Sequence, residues 1–60
     1  MLSYCDIYNN YIIEIQYEHP FYCLSIYNAD YQLVYESRYR FQSIAEQSAY
    51  EEVSRLAGVA

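Results

Sequence analysis

From Tyr11 to Tyr27 the chain reads YIIEIQYEHPFYCLSIY, and this stretch decides the architecture. In its first half Tyr11, Ile13, Ile15 and Tyr17 alternate with Ile12, Glu14, Gln16 and Glu18. A period of two sends one set of side chains to a covered face and the other to an open one, which is the signature of a half-buried strand. His19-Pro20 punctuates the run, and Phe21 to Tyr27 follows as another strand rich in aromatic and branched residues. With His19-Pro20 as a two-residue turn, Tyr17 faces Tyr22, Ile15 faces Leu24 and Ile13 faces Ile26. The aliphatics then gather on one side, and the short connection makes the pair an antiparallel hairpin.

Upstream, residues 3–8 read as a strand joined to this hairpin through Asn9-Asn10, residues that tolerate left-handed backbone. A three-residue loop there sets Ile7 opposite Ile13, Cys5 opposite Ile15 and Asp6 opposite Glu14. A two-residue loop instead sets Asp6 against Ile13 on the covered side, where an unpaired carboxylate is costly. The three-residue loop is therefore expected. Downstream, Asn28-Ala29-Asp30 reads as a turn and residues 31–36 as a fourth strand, with Leu33 and Tyr35 completing the covered face.

After Phe41 the period changes. Ser43 and Glu46 have capping-box spacing, and Ala45, Ala49, Val53 and Leu56 fall on one helical stripe. Gly58, the only glycine, stands where a helix end favours positive φ, while Glu46 near the start and Arg55 near the end suit the helix dipole. The expected fold is α+β, an antiparallel β-meander of three to four strands at about 3–8, 11–18, 21–27 and 31–36. One C-terminal helix at about 44–57 packs on one face, and residues 1–60 form a single domain.

A chain of 60 residues buries only about 60% of the surface its unfolded form exposes, so the core supplies roughly 3–5 kcal/mol. Disulfides, a metal or self-association normally supplement so small a core. Cys5 and Cys23 are the only cysteines, and the register places them on opposite faces. Met1-Leu2-Ser3-Tyr4 carries neither a basic segment nor an apolar run, which points to a reducing, cytoplasmic setting. No apolar stretch approaches the ~20 residues of a membrane span, so no membrane partner is expected. His19 is the only histidine, and neither a metal nor a cofactor is expected. Self-association, as a homodimer, stays open.

Eight carboxylates stand against three arginines and no lysine, for a net charge of −5. Phosphate-backbone binding draws on Lys and Arg, so direct nucleic-acid binding is not expected and a partner with a basic surface is. The cluster Arg38-Tyr39-Arg40 is the one place where phosphate or a stacked base would find a footing, and its arginines more simply balance Glu36 and Glu46. Stacking on the tyrosines of the sheet, as in RNA-recognition folds, meets the same objection of charge.

Catalytic groupings fare no better. Cys5 reads as an inert buried thiol, Cys23 as a candidate for oxidation, and His19 as a solvated turn residue. Glu51 and Glu52 diverge around their helix, and an Asp6–Glu14 pair on a flat face has no pocket to raise a pKa. The chain is read as non-enzymatic.

What the register leaves bare is the second sheet face, expected to display Tyr4, Asp6, Tyr8, Ile12, Glu14, Gln16, Glu18, Cys23, Ser25, Tyr27, Gln32, Val34 and Glu36. Ten tyrosines suit strands in any protein, but Ile12 and Val34 exposed among them exceed what solubility needs. The partner for such a face is an identical subunit or a different, basic protein. The helix exterior, with Glu46, Glu51 and Glu52, is the second candidate surface.

Size, acidity, absence of lysine and a small sheet with one helix together resemble the small phage-encoded inhibitors typified by anti-CRISPR proteins; no motif carries the resemblance. It implies an inhibitor in the cytoplasm of a bacterial host, occupying a basic, nucleic-acid-binding surface of a host complex. It also implies that Asp6, Glu14, Glu18, Glu36, Glu46, Glu51 and Glu52 imitate phosphates, or that the tyrosines anchor a steric block.

Overall fold

Alternation over residues 11–27 produces the expected hairpin in the computed structural model, which describes residues 1–58. Strands β1 (Leu2–Tyr8), β2 (Tyr11–Glu18), β3 (Phe21–Tyr27) and β4 (Leu33–Tyr39) precede one helix, α1 (Gln42–Leu56). The strands form one antiparallel sheet in the order β1-β2-β3-β4, and α1 packs on one of its faces. The β2–β3 register is the one the sequence implies: Ile13 pairs with Ile26, Ile15 with Leu24 and Tyr17 with Tyr22. The His19–Pro20 peptide is cis, the geometry of a tight turn with proline at its third position.

The first hairpin differs from expectation. Its loop has two residues, not three, so Tyr8 pairs with Tyr11, Ile7 with Ile12, Asp6 with Ile13 and Cys5 with Glu14. The cause is local: Asn9 and Asn10 both take positive φ, 50° and 66°, the pair of left-handed residues that a type I′ turn requires. A one-residue change of register exchanges the faces of a whole strand. Tyr4, Asp6 and Tyr8 therefore lie on the helix side, and Cys5 and Ile7 on the open side, where Cys5 is exposed.

The fourth strand also departs from expectation, beginning at Leu33 and ending at Tyr39. The β3–β4 ladder pairs Ile26 with Tyr35 and Tyr27 with Leu33, so Val34 is an extra residue at a bulge. The bulge takes Leu33 out of the buried set and leaves it 50% exposed, whereas Tyr35 faces the helix. Residues 28–32 form a loop closed on Asn28. Its Oδ1 accepts from the N–H of Asp30 and of Gln32, and its carbonyl accepts from the N–H of Tyr31. Gln32 thus belongs to the loop and not to the sheet face.

The core consists of Ile13, Ile15, Leu24 and Ile26 from the sheet and Ala45, Ala49 and Val53 from α1, all fully buried. Burying each of the large aliphatics contributes roughly 1.5–3 kcal/mol. Ala45, Ala49 and Val53, at intervals of four, form a narrow stripe of small residues that lets the helix backbone lie close to the sheet. Tyr4, Tyr11, Tyr22, Tyr35, Tyr39, Tyr50 and Leu56 pack round this centre.

Helix ends confirm one signal and correct another. Gly58 takes φ 75° and its N–H reaches the carbonyl of Arg55, while Arg55 lies in the last turn. Ser43 does not cap: the helix starts earlier, Phe41 holds the N-cap position with extended backbone, and it has no side chain to offer the free N–H groups. Glu46 is held by the side chain of Gln42 one turn before it, at 2.9 Å.

Two substitutions test this account by urea denaturation. Ile15→Ala opens a cavity at the centre of the core and costs about 2–5 kcal/mol, enough to unfold much of the population. Phe41→Ser removes a ring that is 67% exposed and supplies the missing cap, so stability rises by about 1 kcal/mol.

Candidate partner-binding surface

The face opposite α1 is built in cross-strand rows. One row runs Ile7, Ile12, Tyr27 and then the bulge residues Leu33 and Val34; the next runs Cys5, Glu14, Ser25 and Glu36. Beyond these come Gln16, Cys23 and Arg38, and finally Glu18 and Phe21. Apolar side chains therefore concentrate at the end nearest the β1–β2 turn, carboxylates cross the middle, and the arginines lie at the far end. Ile7 is 69% exposed, and nothing among the described residues covers it.

Tyr31 shapes the apolar end. It sits at φ 59°, a left-handed conformation that a bulky side chain adopts only at a cost of order 1–3 kcal/mol, and the Asn28 loop holds it there. Its ring stacks on Tyr27, with centroids 4.5 Å apart, and its hydroxyl donates to Glu14 Oε2 at 2.9 Å. Donation to that carboxylate raises the Tyr31 pKa above the ordinary phenol range. Tyr31 thus ties the loop down onto the open face beside Ile12 and Tyr27.

At the other end, the guanidinium groups of Arg38 and Arg40 lie 5.7 and 5.5 Å from the centre of the Phe21 ring. The arginines do not balance Glu36 and Glu46 by direct pairing. The one ion pair among the described residues joins Arg55 to Glu52 on the helix. Between the carboxylate row and Phe21 lies an open trough of about 620 Å³, lined by Gln16, Glu18, Cys23, Ser25, Glu36 and Arg38 among others. Burial and the neighbouring Glu18 carboxylate push the Cys23 thiol above its ordinary pKa, so its reactive thiolate is scarce near neutrality. His19 receives or gives a hydrogen bond through Nδ1 to the Tyr17 hydroxyl at 2.8 Å, and it approaches neither cysteine by any hydrogen bond. No group of three or more His, Cys, Asp or Glu among the described residues is placed to hold a metal ion. No helix there is long and apolar enough to cross a membrane.

The sequence-derived site residues therefore divide. Ile12, Glu14, Glu18, Tyr27, Val34 and Glu36 share the open face. Tyr4, Asp6 and Tyr8 do not, and they meet Tyr50 of α1 instead. The Tyr50 hydroxyl donates to Asp6 Oδ2 at 2.5 Å and is itself bonded by the Tyr4 hydroxyl, while the Tyr8 ring stands edge-on to the Tyr50 ring at 5.1 Å. Asp6 Oδ1 accepts from the N–H of Ile7. Glu46, Glu51 and Glu52 lie on α1, and each accepts a hydrogen bond from its own helix, from Gln42, Gln47 and Arg55 respectively.

Ile7, Cys5, Tyr31, Phe21, Leu33, Arg38 and Arg40 are among the members of the open face that sequence reasoning left out of it. For Ile7 and Cys5 a signal existed, since an Asn-Asn pair between strands favours the two-residue turn. For Tyr31 no signal existed, since a tyrosine does not announce positive φ. No protein-family model matches this sequence, and comparison with curated proteins and with solved structures finds no match.

Tyr50→Phe tests the contact that keeps Asp6 on the helix side. The half-buried carboxylate keeps only the Ile7 N–H as a donor, and stability falls by about 1–3 kcal/mol in chemical denaturation. In the native protein, hydrogen bonding to Asp6 and to Tyr4 raises the Tyr50 pKa far above the ordinary phenol value, so the folded state holds its proton more tightly than the unfolded state. That contribution is complete below about pH 10 and is lost as pH rises further. Thermal melts from pH 8 to 12 show the decline, and Tyr50→Phe flattens it.

Proposed function

We propose that this chain is a non-enzymatic protein-binding module, an inhibitor in the manner of the anti-CRISPR class, that lays its open sheet face on a basic surface of another protein. The observation that carries the reading is the apolar row Ile7, Ile12, Tyr27 and Val34, in which Ile7 and Val34 are exposed and Ile12 and Tyr27 half-buried, flanked by Glu14 and Glu36 on the face opposite α1. An apolar centre beside charge of one sign is the ordinary anatomy of a recognition site, in which desolvated anchors give affinity and the charges give orientation. A net charge of −5 selects for a basic partner, including one whose surface otherwise binds nucleic acid.

Anchoring by apolar and tyrosine side chains is better supported than imitation of a phosphate chain. Imitation needs carboxylates in a continuous, outward series. Asp6 is engaged by Tyr50, Glu46 by Gln42, Glu51 by Gln47 and Glu52 by Arg55, and the carboxylates of the open sheet face and of the helix lie on opposite sides of the domain. Glu14, Glu18 and Glu36 remain as the acidic flank of the site.

Parallel affinity capture from a bacterial lysate tests the proposal, using the native protein and an Ile7→Arg/Val34→Arg variant. A basic protein held by the native chain, lost by at least tenfold with the variant and released as salt rises from 0.1 to 0.5 M, is the expected result. The native protein also displaces nucleic acid from that partner. Equal capture by the folded variant, or capture indifferent to salt, overturns it.

A further inference from the structure

Strand β4 is an edge strand: β3 pairs with one side of it, and no strand pairs with the other. Such an edge presents free N–H and C=O groups to solvent, an invitation to pairing that proteins normally block with bulges, prolines or charges of one sign. The other edge, β1, is interrupted by a register shift at Ser3 and carries no basic residue. The ladder of β4 is regular from Tyr35 to Tyr39. Over that span the sequence is Tyr-Glu-Ser-Arg-Tyr, which is self-complementary about Ser37.

We infer that β4 pairs antiparallel with β4 of a second copy about a two-fold axis at Ser37, joining two sheets into one of eight strands. In that register the two Ser37 residues oppose each other. Glu36 of each chain lies opposite Arg38 of the other on the open face, and Tyr35 lies opposite Tyr39 on the helix side. Directly opposed residues on neighbouring antiparallel strands are the pairs that interact most strongly, so the axis creates two salt bridges and two tyrosine pairs. Neither Glu36 nor Arg38 forms an ion pair within the chain among the described residues. A centre one residue away in either direction fails: an axis at Glu36 brings the two Glu36 carboxylates together, and one at Arg38 brings the two Arg38 guanidinium groups together.

Pairing β4 with β4 is isologous and closes at two copies, whereas pairing β4 with β1 is heterologous and adds further copies unless it closes a ring. Self-association through the open face is less suitable, because it presses the Glu14 and Glu36 row of one copy toward the same row of the other. The edge dimer leaves both open faces free and carries them on the same side of one sheet. A partner with repeated basic sites then meets two binding faces at once.

Sedimentation equilibrium of the native chain, with Glu36→Arg, Arg38→Glu and the double exchange Glu36→Arg/Arg38→Glu, tests this register. The native protein is a dimer. Each single variant sets like charges opposite each other twice and weakens dimerisation by about tenfold or more, and the double exchange restores it. Both side chains are exposed, and circular dichroism verifies that each variant is folded. A native protein that stays monomeric at 0.5 mM, single variants that dimerise as the native chain does, or a double exchange that fails to restore the dimer overturns the inference. Ile7→Arg, which disables the proposed partner face from β1 at the far edge of the sheet, leaves the dimer intact, so failure of one proposal is separable from failure of the other.

Discussion

Everything in this domain depends on one contact, the seating of Ala45, Ala49 and Val53 on Ile13, Ile15, Leu24 and Ile26. Seven residues are a small core, and most of the helix contribution is methyl groups. The small stripe brings the helix close to the sheet, so few side chains fit between them, and the remaining boundary has to be sealed from the sides. Tyrosines do this. Tyr4, Tyr11, Tyr22, Tyr35, Tyr39 and Tyr50 lay their rings against the core. Among them, the Tyr4 and Tyr50 hydroxyls bond to each other, and Tyr35 to Tyr39. A ring with a polar tip suits the border of so thin a core, because it can cover aliphatic surface without burying an unsatisfied group. The abundance of tyrosine is thus in large part a structural answer to small size.

That arrangement also explains how a carboxylate comes to lie on the covered side. Asp6 arrives there because the Asn9-Asn10 turn sets the register, and it is tolerated because Tyr50 donates to it from the helix. A hydrogen-bonded carboxylate at the rim of the core costs little, whereas an isolated one costs several kcal/mol. The same turn pushes Ile7 onto the open face. One local preference therefore settles two matters at once: where a charge is hidden and where an aliphatic is shown.

The two faces of the sheet consequently have different work. One is used up by α1 and its tyrosine border. The other keeps an apolar row, a carboxylate row and an arginine-flanked phenylalanine, with Tyr31 fastened across part of it by Glu14 and the Asn28 loop. The free side of β4 offers a third surface, defined by backbone and by the self-complementary order of Glu36 and Arg38.

Much of the fold was legible before any coordinate. Alternation through residues 11–18, the His19-Pro20 turn and the stripe Ala45, Ala49, Val53 are local patterns, and they determined the meander, the β2–β3 register and the covered face. They also identified Ile12, Glu14, Glu18, Tyr27, Val34 and Glu36 as one surface. What sequence could not weigh was compensation across the chain. Excluding Asp6 from the helix side was correct for an unpaired carboxylate and wrong for one that meets Tyr50, forty-four positions away. The bulge that exposes Leu33 and the positive φ of Tyr31 were equally invisible, since both follow from closing the Asn28 loop onto the sheet. Periodicity is written in neighbouring residues and can be read there. Whether a costly residue finds its partner depends on distant parts of the chain meeting, and only the tertiary structure decides that.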